Sequence, residues 1–255
     1  MNFKEYIARP EISASGLKNF MVSPAYFKWK KEHPEETEAM RIGKALHCAI
    51  LTPELFKEEY AQIPICDKRT KEGKAIYEVF LNGSEGKECL KFEEYEKIIA
   101  IRNAVLKSPK IVSMLSKGQS EFTIFSEIEG VKVKSRLDFL AENFFLDIKS
   151  TKDARLEQFS IDAYNLDYHC QFWIYQEAIF QNFGKRLPCI IFAIEKEDNL
   201  DYMVHEMSQE WLDLGEKKVR KYLRLYKECL EKDEWPGYDK KINQLVLPSW
   251  VKVEE

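Results

Sequence analysis

The sequence predicts an α/β fold in which three consecutive strands lie between helices, in the order α-β-β-β-α-β, behind a helical N-terminal elaboration. Two observations carry that expectation. Between about residues 121 and 150, apolar and polar residues alternate with the period of two that a strand imposes. On both sides, apolar residues recur at the three- and four-residue spacing of helices instead.

Taken in order, helices are expected over about residues 13 to 31 and 38 to 51, with a break or fresh start at Pro24, whose ring removes a donor and crowds the preceding turn. Charged helical stretches follow from about 68 to 82 and from 93 to 108. Strands are expected over about 121 to 127, 131 to 140 and 144 to 150, the last two joined by a turn at Ala141, Glu142 and Asn143. A helix over about 158 to 183 stops at Gly184. Strands at about 188 to 194 and 201 to 206 and a long helix at 209 to 232 complete the chain. The 255 residues are expected to form a single domain: a helical part at 1–92, a core at 93–207, and a C-terminal helix and tail at 208–255.

With 45% hydrophobic and 32% charged residues the chain can bury a proper core. It has no run of about 18 apolar residues to cross a bilayer, and no basic-then-apolar leader. No membrane association and a cytoplasmic location are therefore expected. Internal repeats and low-complexity tracts are not visible. Cys48, Cys66, Cys89, Cys170, Cys189 and Cys229 are scattered without a C-x-x-C pair, so reduced thiols are expected rather than a zinc site or an iron-sulfur cluster. Gly43-Lys44 and Gly73-Lys74 lack the other residues of a phosphate-binding loop.

The chemistry concentrates in residues 131 to 150. In Phe144 to Lys149, period two places Phe144, Leu146 and Ile148 on one face and Asp147 with Lys149 on the other. In the preceding run Val131, Val133, Leu137 and Phe139 form the apolar face, with Lys132, Lys134, Arg136 and Asp138 opposite. Asp138, Asp147 and Lys149 can then converge. Two carboxylates suit Mg2+, which prefers oxygen ligands and keeps several waters, and a neighbouring lysine can orient or deprotonate a water and offset charge on a phosphorane. On the triplet alone, an exposed strand face of mixed charge is the simpler account of the same residues.

The flanking segments change that weighting. They are Ile12 to Leu17, Pro24 to Trp29, Arg41 to His47 with its G-x-x-x-H spacing, and the basic Lys68 to Lys74. Leu137-Asp138 and Leu146 to Thr151 follow, then Tyr168 to Tyr175 with Q-x-x-x-Y, Asp233 to Pro236, and Leu247 to Trp250. Together they resemble the PD-(D/E)XK nuclease superfamily and, within it, the RecE-type exonucleases of phage and prophage recombination systems. Leu137 stands where the superfamily name has Pro. The predicted element order matches the core of the restriction-endonuclease-like fold, a mixed central sheet flanked by helices.

The resemblance implies a Mg2+-dependent exodeoxyribonuclease, with Mn2+ as a substitute and two ions per site, that degrades linear double-stranded DNA from 5′ ends and leaves a 3′ single strand. It implies metal binding by Asp138, Asp147, His47 and the backbone carbonyl of Ile148, and catalytic parts for Lys149, Gln171 and Tyr175. It further implies a RecT-type single-strand annealing partner, a ring trimer or tetramer, and a phage or prophage origin within a bacterial host. An endonuclease or repair nuclease of the same fold, or a DNA-binding module without turnover, would share these residues in part.

A net charge of −4 is unusual for a DNA-binding protein, so local clusters matter more than the sum. Lys28, Lys30 and Lys31 surround Trp29; Lys68, Arg69, Lys71 and Lys74 form a second group; Lys217, Lys218, Arg220, Lys221 and Arg224 read as a solvated helix face. Lys28, Lys30, Arg69, Lys74 and Arg136 are the candidate DNA contacts, and the resemblance implies that one of the first two groups holds a 5′-phosphate. Tyr164, Tyr168, Gln171 and Tyr175 are expected to share one helical stripe, and Glu121 could supply another carboxylate.

Overall fold

The structure, a computed structural model, describes residues 1–196 and 200–247. Helices begin where the sequence supplies caps. Behind the short α1 (Phe3–Ala8), Ser13 Oγ accepts from Gly16 N at the head of α2 (Ala14–Val22), and Ser23 does the same for Tyr26 N at the head of α3 (Pro24–Glu32). Pro24 thus opens a new helix, its missing N–H costing nothing in a first turn. Thr37 caps α4 (Glu38–Leu51), followed by α5 (Pro53–Glu59), β1 (Tyr60–Gln62), a Thr70-capped α6 (Lys71–Gly83) and β2 (Glu88–Leu90), which pairs in parallel with β1. Helices α7 (Phe92–Leu106) and α8 (Pro109–Leu115) lead into the main sheet.

That sheet comprises β3 (Gly118–Ile128), β4 (Val131–Ala141), β5 (Phe145–Thr151), β6 (Cys189–Glu195) and β7 (Tyr202–Glu206), in this spatial order. Glu129 and Gly130, both at positive φ, make the tight turn between β3 and β4. All pairings are antiparallel except β5 with β6, whose parallel crossover is built by α9 (Leu156–Asn165) and α10 (Tyr168–Phe183). Helix α11 (Gln209–Lys232) is the last element among the described residues, with Gly215 so close to the His169 carbonyl that a Cβ would lie 2.1 Å from it.

Apolar packing covers both faces of the sheet. One cluster joins Leu17, Phe20, Leu137, Phe145, Phe172, Trp173, Val219 and Leu223; the other joins Leu46, Ile50, Ile98, Val105, Phe139, Leu146, Ile148 and Phe192. The active face of β5 is therefore walled by α10, and its reverse by α4 and α7.

Two expectations need correction. The helix over 158 to 183 is two helices, because Asp167 adopts φ 57 and its carboxylate is held by Lys218 Nζ at 2.5 Å. The expected apolar face of β4 also divides: Val131, Val133 and Leu137 pack in the first cluster but Phe139 in the second. The alternation slips at Asp138, opposite Glu121, which adopts φ 54 between the paired residues Ser120 and Phe122. Of the closing segment Leu247 to Trp250, residues 248–250 lie outside the described residues.

Candidate active site

Strands β4 and β5 pair only at Phe139 with Leu146 and Leu140 with Phe145, and then part. The other edge of β5 stays paired with β6 from Phe145 to Thr151. In the gap the Asp138 carboxylate replaces the missing ladder bond, its Oδ2 accepting Ile148 N at 2.7 Å. Because N–H and C=O of a strand residue leave on the same side, the Ile148 carbonyl also faces this cleft. His47, from α4, brings Nδ1 to 3.3 Å from the same Asp138 oxygen.

Asp147 lies at the bottom, 1% exposed. Its Oδ1 accepts from Gln171 Nε2 at 3.1 Å, and the second hydrogen of that amide goes to Tyr175 Oη at 2.9 Å. Gln171 and Tyr175 share a face because they are four residues apart on α10. Lys149 Nζ is 2.6 Å from Asp147 Oδ2, an ion contact without hydrogen-bond alignment, for that oxygen has no hydrogen-bond partner among the described residues. The ammonium also faces the ring of Tyr168 at 4.8 Å.

These charges tune one another. Burial, then the neighbouring Asp138, push the Asp147 carboxyl up to about 6 against the pull of Lys149. Burial would raise Asp138 too, but His47, Lys149 and the Ile148 N–H outweigh it and hold that carboxyl below its ordinary value. Burial works against the charged form of Lys149 as well; Asp147, Tyr168 and Asp138 nevertheless raise its pKa, so it remains an ammonium. His47 is likewise raised, with burial overcome by Asp138.

The donor set fits a hard divalent cation. Asp147 offers an oxygen that only the Lys149 ammonium approaches among the described residues, Asp138 a second carboxylate, Ile148 a carbonyl and His47 an imidazole. These atoms do not close into a tight cage. Among the described residues the group with three ligand atoms within 4.8 Å is Asp167, His169 and Cys170. A cation is disfavoured there, since Lys218 already sits on Asp167 and the start of α10 points its N–H groups at the spot. An open arrangement suits Mg2+, which retains waters and takes substrate oxygens.

Not every candidate residue joins the cleft. Arg136 donates to Glu121 Oε2 at 2.6 Å, to Thr123 and to the Met1 carbonyl, so it is an internal brace and not a free DNA contact. Burial, then Asp138, raise the Glu121 carboxyl, although Arg136 opposes. Tyr164, 57% exposed on α9, is not part of the Gln171 stripe. Arg69 is clamped on Asp67, while Lys74 is exposed. Lys218, Arg220 and Arg224 pair with Asp167, Glu129 and Glu216.

Sequence reasoning missed a cavity of 270 Å3 bordering Gln171 and Tyr175, lined also by Tyr6, Ser13, Ser15, Lys18 and Tyr168. Ser13 and Ser15 stood in a noted motif, but nothing local shows that the start of α2 meets α10.

A family profile described as a PDDEXK-like domain of unknown function (DUF3799) matches residues 13–247. Among solved structures, a candidate exonuclease from Eubacterium rectale superposes with a TM-score of 0.68 at 16% identity, over 99% of this chain and 96% of that one. Such a likeness speaks for the fold. An alkaline exonuclease from Laribacter hongkongensis gives a TM-score of 0.37 at 14% identity, over 90% and 97%, too low to argue from. No curated protein matches.

Proposed function

The chain belongs to the PDDEXK-like family DUF3799, and on that premise we propose that it is a divalent-metal-dependent nuclease. In its finer form the reading is a Mg2+-dependent exodeoxyribonuclease that degrades the 5′ strand of linear double-stranded DNA and leaves a 3′ single strand. One observation carries it: two carboxylates, a charged lysine and a glutamine amide meet where β4 and β5 part, around an Asp147 oxygen whose close partner among the described residues is the Lys149 ammonium.

Asp138 and Asp147 would hold the cation, with His47 and the Ile148 carbonyl at its side. A bound divalent ion supplies charge neutralisation at a phosphoryl oxygen and a more acidic water. The residues do the rest. Gln171 fixes the Asp147 carboxylate, and Tyr175 fixes Gln171. Lys149, 2.6 Å from Asp147, is placed to orient or deprotonate the water and to stabilise developing negative charge. The neighbouring cavity, with two serines and Lys18, has the size and chemistry for a strand's terminal phosphate. A RecT-type annealing partner, a homo-oligomeric ring and a cytoplasmic place of action extend the reading, on the sequence resemblance alone.

The test compares linear and covalently closed circular duplex, 5′-end-labelled, in Mg2+, with wild type and Lys149→Ala. Release of nucleotides from the 5′ strand of the linear form only, reduced at least about 100-fold in the variant, is expected. Cutting of the circle would replace the exonuclease reading with an endonuclease one, and cleavage of neither would remove nuclease activity altogether.

A further inference from the structure

The outer face of α3 is neither part of the cleft nor needed by the core. Phe27 anchors this helix, stacked on Trp235 at 5.8 Å and edge-on to Phe20 and Tyr226. Tyr26, Trp29 and His33 recur at helical spacing along another stripe. Trp29 is 44% exposed. Its ring lies 6.1 Å and 29° from that of Tyr26 and 5.1 Å and 18° from that of His33, whose Nδ1 is fixed 2.9 Å from the Trp29 carbonyl. The three rings make a short ladder of near-parallel planes, with Trp29 and His33 exposed and Tyr26 half-buried.

Lys30 flanks the ladder, while Lys28 and Lys31 lie round the helix from it. Lys30 Nζ stands 5.3 Å from the Trp29 ring centre and pairs with Glu35 at 2.8 Å; Lys28 lies 3.8 Å from Asp233. Exposed pairs of this kind are worth about 0–1 kcal/mol, so a phosphate can take over either lysine. Lys31 has no acidic partner among the described residues and lies within electrostatic reach of Lys134. Lys134 in turn holds the carbonyl of Tyr6, a residue lining the cavity beside Gln171. The side of α3 that bears Lys31 thus lies toward that cavity, and the ladder occupies the helix's other side.

We propose that this face is a platform for single-stranded DNA, with bases stacking on the exposed rings of Trp29 and His33 and phosphates passing Lys30. The choice of nucleic acid as ligand rests on the nuclease reading above. In a duplex the faces of the bases are covered by one another, whereas a single strand offers each base's π-face, and aromatic rings beside lysines bind such strands with little regard to sequence. Solvent-facing rings held parallel by their own helix gain nothing from core packing and everything from such a guest.

The experiment measures fluorescence anisotropy of labelled oligo(dT) and of a blunt duplex against the full chain carrying Lys149→Ala, so that no cleavage intervenes. Adding Trp29→Ala should weaken oligo(dT) binding by roughly 5- to 150-fold, the range for losing one stacked base, and weaken duplex binding far less; Trp29→Phe should restore most of the loss. Equal oligo(dT) affinity with and without Trp29, or no oligo(dT) binding by the parent, overturns the platform. Neither result depends on turnover, so a protein that cleaves nothing fails the nuclease reading separately.

Discussion

Asp147→Asn should make the metal-free protein more stable, not less. In the folded chain burial and Asp138 raise the Asp147 carboxyl from 3.8 to about 6, and the attraction of Lys149 is already included in that value. At 1.36 kcal/mol per pH unit, holding this carboxylate ionised costs about 3 kcal/mol at pH 8. The sign follows from proton linkage. Between about pH 4 and 6 the folded state holds more proton on Asp147 than the unfolded one, so this group's contribution to stability in EDTA falls as pH rises through this window and is constant above it. An asparagine mimics the protonated acid and removes the slope. The variant should therefore gain up to about 3 kcal/mol at pH 8, or roughly 6–12 °C in Tm for a chain of this size, and little at pH 4. Mg2+ should raise the Tm of wild type and leave the variant unmoved. Urea titrations in EDTA from pH 4 to 8 decide the matter; an asparagine variant less stable than wild type at pH 8 would show that the Asp147 to Lys149 attraction exceeds the cost of burying the acid.

Other outcomes follow from the same contacts. Gln171→Ala removes the donor that aligns Asp147 and should reduce kcat/KM or metal affinity roughly 10- to 100-fold; single-turnover cleavage and calorimetric metal titration check this, and an unchanged enzyme would remove Gln171 from the site. Ca2+ in place of Mg2+ should support DNA binding with little cleavage, because its longer and looser coordination holds phosphate poorly for in-line attack; robust digestion in Ca2+ alone would contradict the assigned metal role. Lys134→Met leaves the carbonyls of Tyr6, Ile7 and Arg9 without their shared donor. A loss of about 1–3 kcal/mol is expected, with faster amide exchange at the start of the chain, and unaltered exchange there would refute the contact's importance.

Much of the cleft could be read from alternation alone, since Asp147 and Lys149 need only period two to share a face. The partner strand was harder. Counting by twos puts Leu137 and Phe139 together, and only the positive φ of Glu121 across the ladder, a tertiary feature, shows why they part. The break between α9 and α10 was equally hidden, because Asn165-Leu166-Asp167 contains neither Gly nor Pro and Asp167 is held in its left-handed conformation from outside, by Lys218. Capped starts at Ser13, Ser23 and Thr37 were local and therefore legible. The cavity between α2 and α10 needs residues from 6 to 21 and from 166 to 175 and could not be found by any window on the sequence.

The grip of β4 on the start of the chain has its own consequence. Lys134 and Arg136 take hold of residues 1 to 9 through the oxygens of Met1, Tyr6, Ile7 and Arg9, all of them main chain. These hydrogen bonds do not read side chains; beyond them the two cations meet only the rings of Phe3 and Tyr6 in this segment. The path of this segment past Glu121 is written into β4, leaving its exposed positions, such as Lys4 and Ile7, free to change in composition while the backbone keeps its course along the edge of the cleft.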